Sequence, residues 1–229
     1  MEAVLDQFDA VLKAFGYTAL LFAVSGVFSV LLGTLLVSMR VGPIAVLNRA
    51  AAVYITVVRN TPLVMIFMFF QLGAGKVWNL LNFQWVDIHI GTLDFTSFFT
   101  AAVVSLSLYT ACFVAEALRS GVNAVPLGQA EAARAIGLPF SGVMSQVVLP
   151  QAFRASVPPL ASTLIALLKN TSVAAAFGVL EAAAQMKIFT NNHADQRWGI
   201  FIAFALGYII LVEVVSLFAT LLERRWRIA

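Results

Sequence analysis

The sequence has few charged residues and very few residues of the kinds that bind metals or form disulfides. Of its 229 residues, 11% are charged and 61% are hydrophobic, whereas soluble domains contain about 25% charged residues. One cysteine, Cys112, cannot form an internal disulfide, and the widely separated His89 and His193 lack the spacing of a zinc site. These deficits exclude an ordinary water-soluble enzyme and a disulfide-rich domain. We expect an integral membrane protein.

The few basic residues do not form a nucleic-acid-binding surface. The net charge is +3, but Lys and Arg are scattered between apolar runs, so nucleic acid is not an expected partner. The acidic N-terminus argues against a cleaved signal peptide. Residues 73–76 read GAGK but lack the first glycine and the Ser or Thr of a phosphate loop. We therefore expect no enzymatic activity and no cofactor or metal bound by this chain.

Five apolar stretches are each long enough to cross a membrane as a helix, which takes about 20 residues. They are residues 18–39, 62–81, 95–115, 158–180 and 198–222. The fourth stretch has a polar interruption, KNTS, near its middle. The predicted fold is all-α, a single transmembrane domain over residues 1–229 with about five spanning helices.

The distribution of basic residues predicts how these helices are oriented. Of the two alternating sets of loops, one carries nine basic residues and the other only four. Lys and Arg accumulate on the cytoplasmic side of membrane proteins. We therefore predict an external N-terminus and a cytoplasmic C-terminus.

The largest predicted cytoplasmic loop, about residues 119–154, has helical character. Pro126 suits the opening of a helix, the stretch that follows is rich in alanine, and Gly137 with Leu138-Pro139 is typical of a helix stop. A second short helix is predicted over about residues 140–148, ending before Pro150. Two short helices joined by a glycine turn predict a small knob that projects into the cytoplasm.

The same loop carries a recognisable motif. Glu131-Ala132-Ala133 is followed after three residues by Gly137, and after nine more by Val147, one residue, and Leu149-Pro150. This pattern resembles the EAA motif of permease subunits in bacterial ABC importers, with Val147 where isoleucine is usual. The stretches RNTPL at 59–63, EALRSG at 116–121 and KNTS at 169–172 resemble the polar amino acid subgroup of that family. The segments GQAEAARAIGL, LIALLKNTS and Asn192-His193-Ala194 are most similar to glutamate permeases of actinobacteria.

The resemblance implies a complete transport system around this chain. It implies two ATPase subunits that bind ATP and Mg²⁺, a second permease subunit as homodimer or heterodimer, and an extracytoplasmic amino acid binding protein, all at the bacterial cell membrane. The substrate implied is a polar amino acid, with glutamate favoured. The implied ATPase-coupling residues are Glu131, Ala132, Ala133, Gly137, Leu149 and Pro150.

Two short polar stretches beside the predicted spans, which we call the first polar island (residues 59–62) and the second polar island (residues 169–172), are candidates for the substrate pathway or its gate. Ionisable residues at membrane depth usually face a cavity, a partner or a pathway, although Lys169 also has the alternative of snorkelling to the interface. The first island has the alternative of plain helix capping by Asn60 or Thr61. The candidate pathway or gate residues are Arg59, Asn60, Thr61, Pro62, Lys169, Asn170, Thr171 and Ser172.

Two other charged features have structural interpretations. Glu213, inside the fifth span, is predicted to be paired within the helix bundle or with Lys169 rather than to bind substrate. Glu116 and Arg119, three residues apart, are predicted to form an ion pair. The rival functional interpretation is a stand-alone ion-coupled transporter, which needs intramembrane carboxylates beyond Glu213.

Overall fold

Long helices make up most of the structure, a computed structural model that describes residues 2–74, 83, 88–90 and 93–226. In chain order the α-helices are α1 (Glu2–Asp6), α2 (Phe8–Val41), α3 (Ala45–Asn60), α4 (Leu63–Met68), α5 (Ser97–Asn123), α6 (Leu127–Ala135), α7 (Phe140–Gly142), α8 (Leu149–Asn170), α9 (Ala182–Asn192) and α10 (Arg197–Trp226). Phe69–Ala74 and Val143–Val148 are π-helical, and Thr171–Phe177 and Ala194–Gln196 are 3₁₀-helical. Two short strands, β1 (Ile88–Ile90) and β2 (Leu93–Phe95), pair antiparallel with Ile88 opposite Phe95.

The number of membrane-crossing helices agrees with the prediction. Among the described residues, four helical stretches are long and apolar enough to cross a membrane: Phe8–Val41, Ser97–Asn123, Phe140–Phe177 and Ala194–Arg225. A fifth candidate is a bent pair, Ala45–Asn60 followed by Leu63–Gly73, with an angle of 103° between its halves. The predicted all-α membrane fold is therefore confirmed, apart from the unpredicted short strands. The far end of the second predicted span, residues 75–81, lies outside the described residues.

Three local predictions differ from the structure. The region 45–60, which lies between the first two predicted spans, is the helix α3. The helix predicted to stop before Pro150 instead continues through a π-helical turn into α8, because proline is tolerated in the first turn of a helix. The helix α9 was not predicted. It has 11 residues, too few to cross the bilayer, and its buried Phe189 packs against Phe204 of α10.

The helices α2 and α5 share a polar seam at the centre of the bundle. Ser29 Oγ lies 3.4 Å from the Ser107 carbonyl oxygen, and Ser107 Oγ lies 3.5 Å from the Ser25 carbonyl oxygen. All three serines are buried. Small residues and interhelical hydroxyl bonds are the usual means of association between membrane helices, so this seam fixes the position of α2 along α5.

The helix α5 also contacts α8 at close range. Gly121 faces Ser156 and the backbone of Ala152 so closely that a Cβ atom at this position would overlap both. The Ser156 hydroxyl bonds to the Ala152 carbonyl oxygen at 2.7 Å within α8. This contact holds the start of α8, and the knob that precedes it, against the end of α5.

Candidate functional site

The predicted knob is present, and its first helix ends as the sequence predicts. Gly137 has a φ of +90°, in the left-handed region that glycine adopts without steric cost. The Leu138 amide donates to the Ala133 carbonyl at 3.1 Å, and the Gly137 amide donates to the Arg134 carbonyl at 3.0 Å. These two bonds form a Schellman motif. The turn between the two halves of the knob therefore has one defined geometry.

The knob, residues 127–148, has its own small apolar core. Ala133, Val143 and Val148 are buried together. Val122, at the end of α5, packs against the same cluster, and Gln151 Nε2 of α8 donates to Gln129 Oε1 of α6 at 2.5 Å. The knob is thus attached to the bundle through both α5 and α8.

The outer side of the knob carries apolar side chains that no described part of the chain covers. Leu127 is 80% exposed, Ile136 81% and Phe140 66%. Exposed apolar patches of this kind mark protein interaction sites. The motif residues divide between the two sides: Ala133 is buried in the knob core, whereas the others are exposed. Those exposed motif residues are Glu131, Ala132, Gly137, Leu149 and Pro150.

Glu131 is three residues before Arg134 on α6, but its carboxylate makes no ion pair there. Within the described part of the chain, it has no salt bridge to Arg134 at the 4.0 Å limit. Its carboxylate therefore remains accessible beside the exposed apolar side chains. By contrast, the predicted Glu116–Arg119 pair forms, with Arg119 NH1 3.7 Å from Glu116 Oε2.

The first polar island, residues 59–62, lies at the 103° bend between α3 and α4. The alternative interpretation, in which Asn60 or Thr61 caps the next helix, is wrong. Pro62 occupies the N-cap position of α4 without a side-chain cap. The Thr61 hydroxyl instead donates back to the Val57 carbonyl at 2.8 Å. Proline supplies no amide hydrogen and restricts the residue before it, which accounts for the break. Arg59 and Asn60 are exposed here.

The second polar island, residues 169–172, lies where α8 changes into a 3₁₀-helix. Lys169 and Asn170 end α8, and Thr171 and Ser172 begin the 3₁₀ segment. The two hydroxyls bond locally, Thr171 to the Leu168 carbonyl at 2.6 Å and Ser172 to the Lys169 carbonyl at 2.7 Å. Thr171 is fully buried, whereas Lys169 is exposed. The island therefore has a buried side and an open side.

Lys169 and Ser172 line a cleft with residues of α10. The cleft has a volume of about 400 Å³ and is also lined by Tyr208, Ile209, Val212 and Glu213. Lys169 and Glu213 share this cleft, but within the described residues neither forms a salt bridge at the 4.0 Å limit. The predicted pairing of Glu213 is therefore wrong. Lys169 and Glu213 thus line the same cleft without forming an ion pair with each other.

The first polar island lies at a different groove of the protein. Thr61 lines an apolar groove of about 810 Å³ with Tyr54, Met65, Phe69 and Leu108. Lys169 and Ser172 are not part of that lining. Within one chain the structure thus places the two islands on separate surfaces rather than in a common cavity.

Glu181, a carboxylate that the sequence analysis did not single out, lies inside the fold. It is fully buried and caps α9 by accepting a hydrogen bond from the Ala184 amide at 3.0 Å. The Tyr208 and Thr18 hydroxyls donate to its Oε2 atom at 2.7 and 3.3 Å. Burial raises the pKa of the Glu181 carboxyl above its ordinary value, although these hydrogen bonds act in the opposite direction. Glu is not among the residues preferred at N-caps, so the sequence indicated neither this cap nor its burial.

The described residues offer no candidate metal site. Within residues 2–74, 83, 88–90 and 93–226, His, Cys, Asp and Glu form no cluster of three or more that could hold an ion. Cys112 is buried in the apolar cluster around Ile55 and Ala115. It is a packing residue there.

Comparison with known proteins identifies the class of this membrane protein. Residues 27–228 match the family described as the inner membrane component of binding-protein-dependent transport systems. The chain belongs to this family, and it is therefore an inner-membrane component. The family provides the membrane part and not the ATPase, and it works with partners of the ATPase and substrate-binding kinds.

Individual relatives cover nearly the whole chain. The glutamate transport system permease protein GluC of Corynebacterium efficiens is 42% identical over 217 residues, which is 93% of this chain and 92% of the relative. The probable amino-acid ABC transporter permease protein YckA of Bacillus subtilis is 30% identical, covering 98% and 92% of the two chains. Among solved structures, an amino acid ABC transporter crystallised with histidines matches with a TM-score of 0.83 at 26% identity, covering 97% and 96%.

Proposed function

We propose that this chain is the permease subunit of an ATP-driven glutamate importer and forms half of its translocation pathway. The observation that carries the proposal is the 42% identity to the GluC protein over 93% of the chain. A second GluC protein, from Corynebacterium glutamicum, is 40% identical over 212 residues. The bundle supports the pairing of two permease subunits, because five helices hardly enclose a gated polar route by themselves.

In this proposal the knob is the contact for the ATPase. Glu131, Leu127, Ile136 and Phe140 provide an exposed carboxylate among exposed apolar side chains. The Schellman turn at Gly137 and the bond from Gln151 to Gln129 support a single shape for this surface. ATP-driven closure of two ATPase subunits brings two knobs together and opens the pathway outward, and hydrolysis resets it. Coupling of this kind requires contacts that differ between nucleotide states.

The proposed orientation places the knob and the C-terminus in the cytoplasm and the N-terminus outside. The excess of Arg in the knob-side loops supports it. A cysteine at the exposed position 128, in a Cys112→Ala background, should react with a membrane-impermeant maleimide only in inside-out vesicles. Labelling in intact cells would contradict the orientation and the ATPase contact together.

The function is tested by reconstituting the chain with its ATPase and binding protein in vesicles. We expect ATP hydrolysis to be stimulated by the glutamate-loaded binding protein, and glutamate uptake to stop when ATP is withdrawn. A screen across amino acids then checks the substrate. Uptake that persists without ATP and collapses with the ion gradient would support the stand-alone transporter instead.

The coupling residues are tested in the same system. Glu131→Ala should reduce substrate-stimulated hydrolysis or ATPase association while membrane insertion stays intact. Gln146→Ala, an exposed polar residue of the knob outside the motif, is the matched control. Normal stimulated hydrolysis in Glu131→Ala would refute the coupling role.

A further inference from the structure

The outward face of α10 carries an apolar stripe that ends in two arginines. The residues of the stripe are three or four positions apart, which is the spacing of one helical face, and each is 44% to 62% exposed. The stripe consists of Ile210, Val214, Leu217 and Leu221. Arg224 and Arg225 follow Leu221 by three and four residues and are also exposed. They therefore lie on the same face, one turn further along the helix.

The length of the apolar stripe corresponds to one leaflet of a bilayer. Leu221 follows Ile210 by 11 residues, which is about 16 Å along a helix. The hydrocarbon core of a bilayer is about 30 Å thick, so one leaflet contributes about 15 Å. The two arginines therefore lie at the depth expected for the phosphate groups of that leaflet.

A third arginine, Arg154 of α8, lies at the same end of the bundle. The helices α8 and α10 belong to consecutive spans, which cross the membrane in opposite directions, and they meet at the cleft lined by Lys169 and Glu213. Arg154 is 15 residues before Lys169, about 22 Å along α8. Arg224 is 11 residues after Glu213, about 16 Å along α10. Both distances lead from the cleft toward the same membrane surface, where Arg154 is exposed.

These three residues, Arg154, Arg224 and Arg225, form an arginine cluster whose charges are not neutralised by neighbouring side chains. Among the side chains that the structure describes, none of the three takes part in a salt bridge. The acidic neighbour Glu223 is half-buried, whereas the two arginines that follow it are exposed. A guanidinium group binds phosphate through two parallel hydrogen bonds. A phosphate that is joined to an apolar chain one leaflet long is a phospholipid.

We propose that the arginine cluster and the apolar stripe bind one anionic phospholipid, with its phosphate at the cluster and an acyl chain along the stripe. In the proposed orientation of the protein, this lipid belongs to the cytoplasmic leaflet. The site prefers an anionic headgroup such as phosphatidylglycerol, because the choline of phosphatidylcholine brings a positive charge close to the arginines. The lipid joins the ends of α8 and α10 through a shared ligand.

A fluorescent reporter beside the apolar stripe tests the proposal. Phe218, which is 70% exposed, is replaced by cysteine in a Cys112→Ala background and labelled with bimane. The protein, purified with its native partner subunits, is placed in phosphatidylcholine vesicles that contain increasing fractions of nitroxide-labelled phosphatidylglycerol or nitroxide-labelled phosphatidylcholine. We expect phosphatidylglycerol to reach half-maximal quenching at a mole fraction about tenfold lower or less, because each basic residue near the headgroups contributes about fivefold in affinity.

Replacement of the arginines should remove this preference. Arg224→Gln/Arg225→Gln should respond equally to the two labelled lipids. The charge-matched control is Lys13→Gln/Lys187→Gln, which changes exposed lysines of α2 and α9 near the opposite membrane surface and should keep the wild-type preference. Arg224→Lys/Arg225→Lys keeps the charges and should still prefer phosphatidylglycerol. Raising the salt from about 0.1 M to about 1 M should weaken the wild-type preference, because the Debye length falls from about 10 Å to about 3 Å.

A double-mutant cycle tests whether Arg154 and Arg224 contact the same headgroup. Arg154→Gln and Arg224→Gln should each lower the preference for phosphatidylglycerol about fivefold. The double variant should lose less than the product of the two effects, because residues that share a ligand are energetically coupled. Independent effects of the two substitutions would contradict a shared lipid.

Two results with the wild-type arginines would overturn the proposal. Equal quenching by the two labelled lipids would show that the stripe contacts lipid without recognising its headgroup. Lack of quenching by either lipid would show that a protein surface, such as that of a second permease subunit, covers the stripe. The assay requires neither ATP nor substrate, so its result does not depend on whether the protein transports glutamate.

Discussion

The Tyr208 hydroxyl lies 2.7 Å from Glu181 Oε2 and donates a hydrogen bond to it. This bond joins the long helix α10 to the start of α9, and Thr18 of α2 donates to the same carboxylate oxygen. The Thr18 oxygen in turn accepts from the Ala182 amide at 3.0 Å. Three segments distant in sequence therefore meet at one buried carboxylate. The short helix α9 is held at this point and by the apolar cluster of Phe189 and Phe204.

Removal of the Tyr208 hydroxyl should destabilise the permease. In Tyr208→Phe the buried Glu181 carboxyl loses a hydrogen-bond donor, and an intramolecular hydrogen bond contributes about 0.5–1.5 kcal/mol. The free energy of unfolding of the purified complex should fall by roughly that amount, with a lower midpoint in thermal denaturation. Tyr109→Phe is the control, because the Tyr109 hydroxyl has no hydrogen bond within the described residues. Equal midpoints for the two variants would show that the Tyr208–Glu181 bond does not stabilise the fold.

The stability of the protein should depend on pH through Glu181. Burial raises the pKa of this carboxyl in the folded state above the value of about 4.3 for an unfolded glutamate. Between the two values the folded state binds more protons than the unfolded state, so the contribution of Glu181 to stability falls as pH rises through that range.

The variant Glu181→Gln should remove this dependence. We expect the denaturation midpoint of wild type to decrease more steeply than that of Glu181→Gln as pH is raised from about 4.3. Asp9→Asn, a change at an exposed carboxylate, should retain the wild-type slope. Parallel curves for wild type and Glu181→Gln would mean that the proton affinity of Glu181 does not change on folding.

The sequence predicted the elements whose signals are local and missed those that depend on packing. Runs of apolar residues located the spanning helices, and the Gly137 turn followed from the chemistry of a helix stop. The helix α3 was missed because Arg49, one turn into it, and Arg59, near its end, interrupt the apolar pattern between the first two predicted spans. The burial of Glu181 was missed because its partners, Thr18 and Tyr208, are 163 and 27 residues away. The shared cleft of Lys169 and Glu213 likewise depends on how α8 and α10 meet.

The substitution Gly137→Ala should impair coupling to the ATPase, although there is space for the added methyl group. No atom lies within 4 Å of a Cβ added there, but φ is +90°, which costs an L-residue roughly 1–2 kcal/mol. We expect Gly137→Ala to weaken ATPase association and substrate-stimulated hydrolysis. Gly128→Ala is the control, because it also meets no atom within 4 Å and lies inside α6 without a positive φ. If Gly137→Ala and Gly128→Ala couple equally well, the turn geometry is not required for the ATPase contact.

The substitution Gly121→Ala should push apart α5 and α8, the two helices that connect the knob to the bundle. A Cβ at this position would overlap Ser156 Oγ and the Ala152 carbonyl oxygen, and overpacking of this kind typically costs about 1–3 kcal/mol. The denaturation midpoint of Gly121→Ala should fall relative to Gly16→Ala, where an added Cβ meets no atom within 4 Å. Adding Ser156→Ala removes only the hydroxyl and should restore part of the loss, because the Ala152 backbone oxygen remains in place. Complete restoration in the double variant would assign the conflict to the Ser156 side chain alone and would show that the two helix backbones have room to move apart.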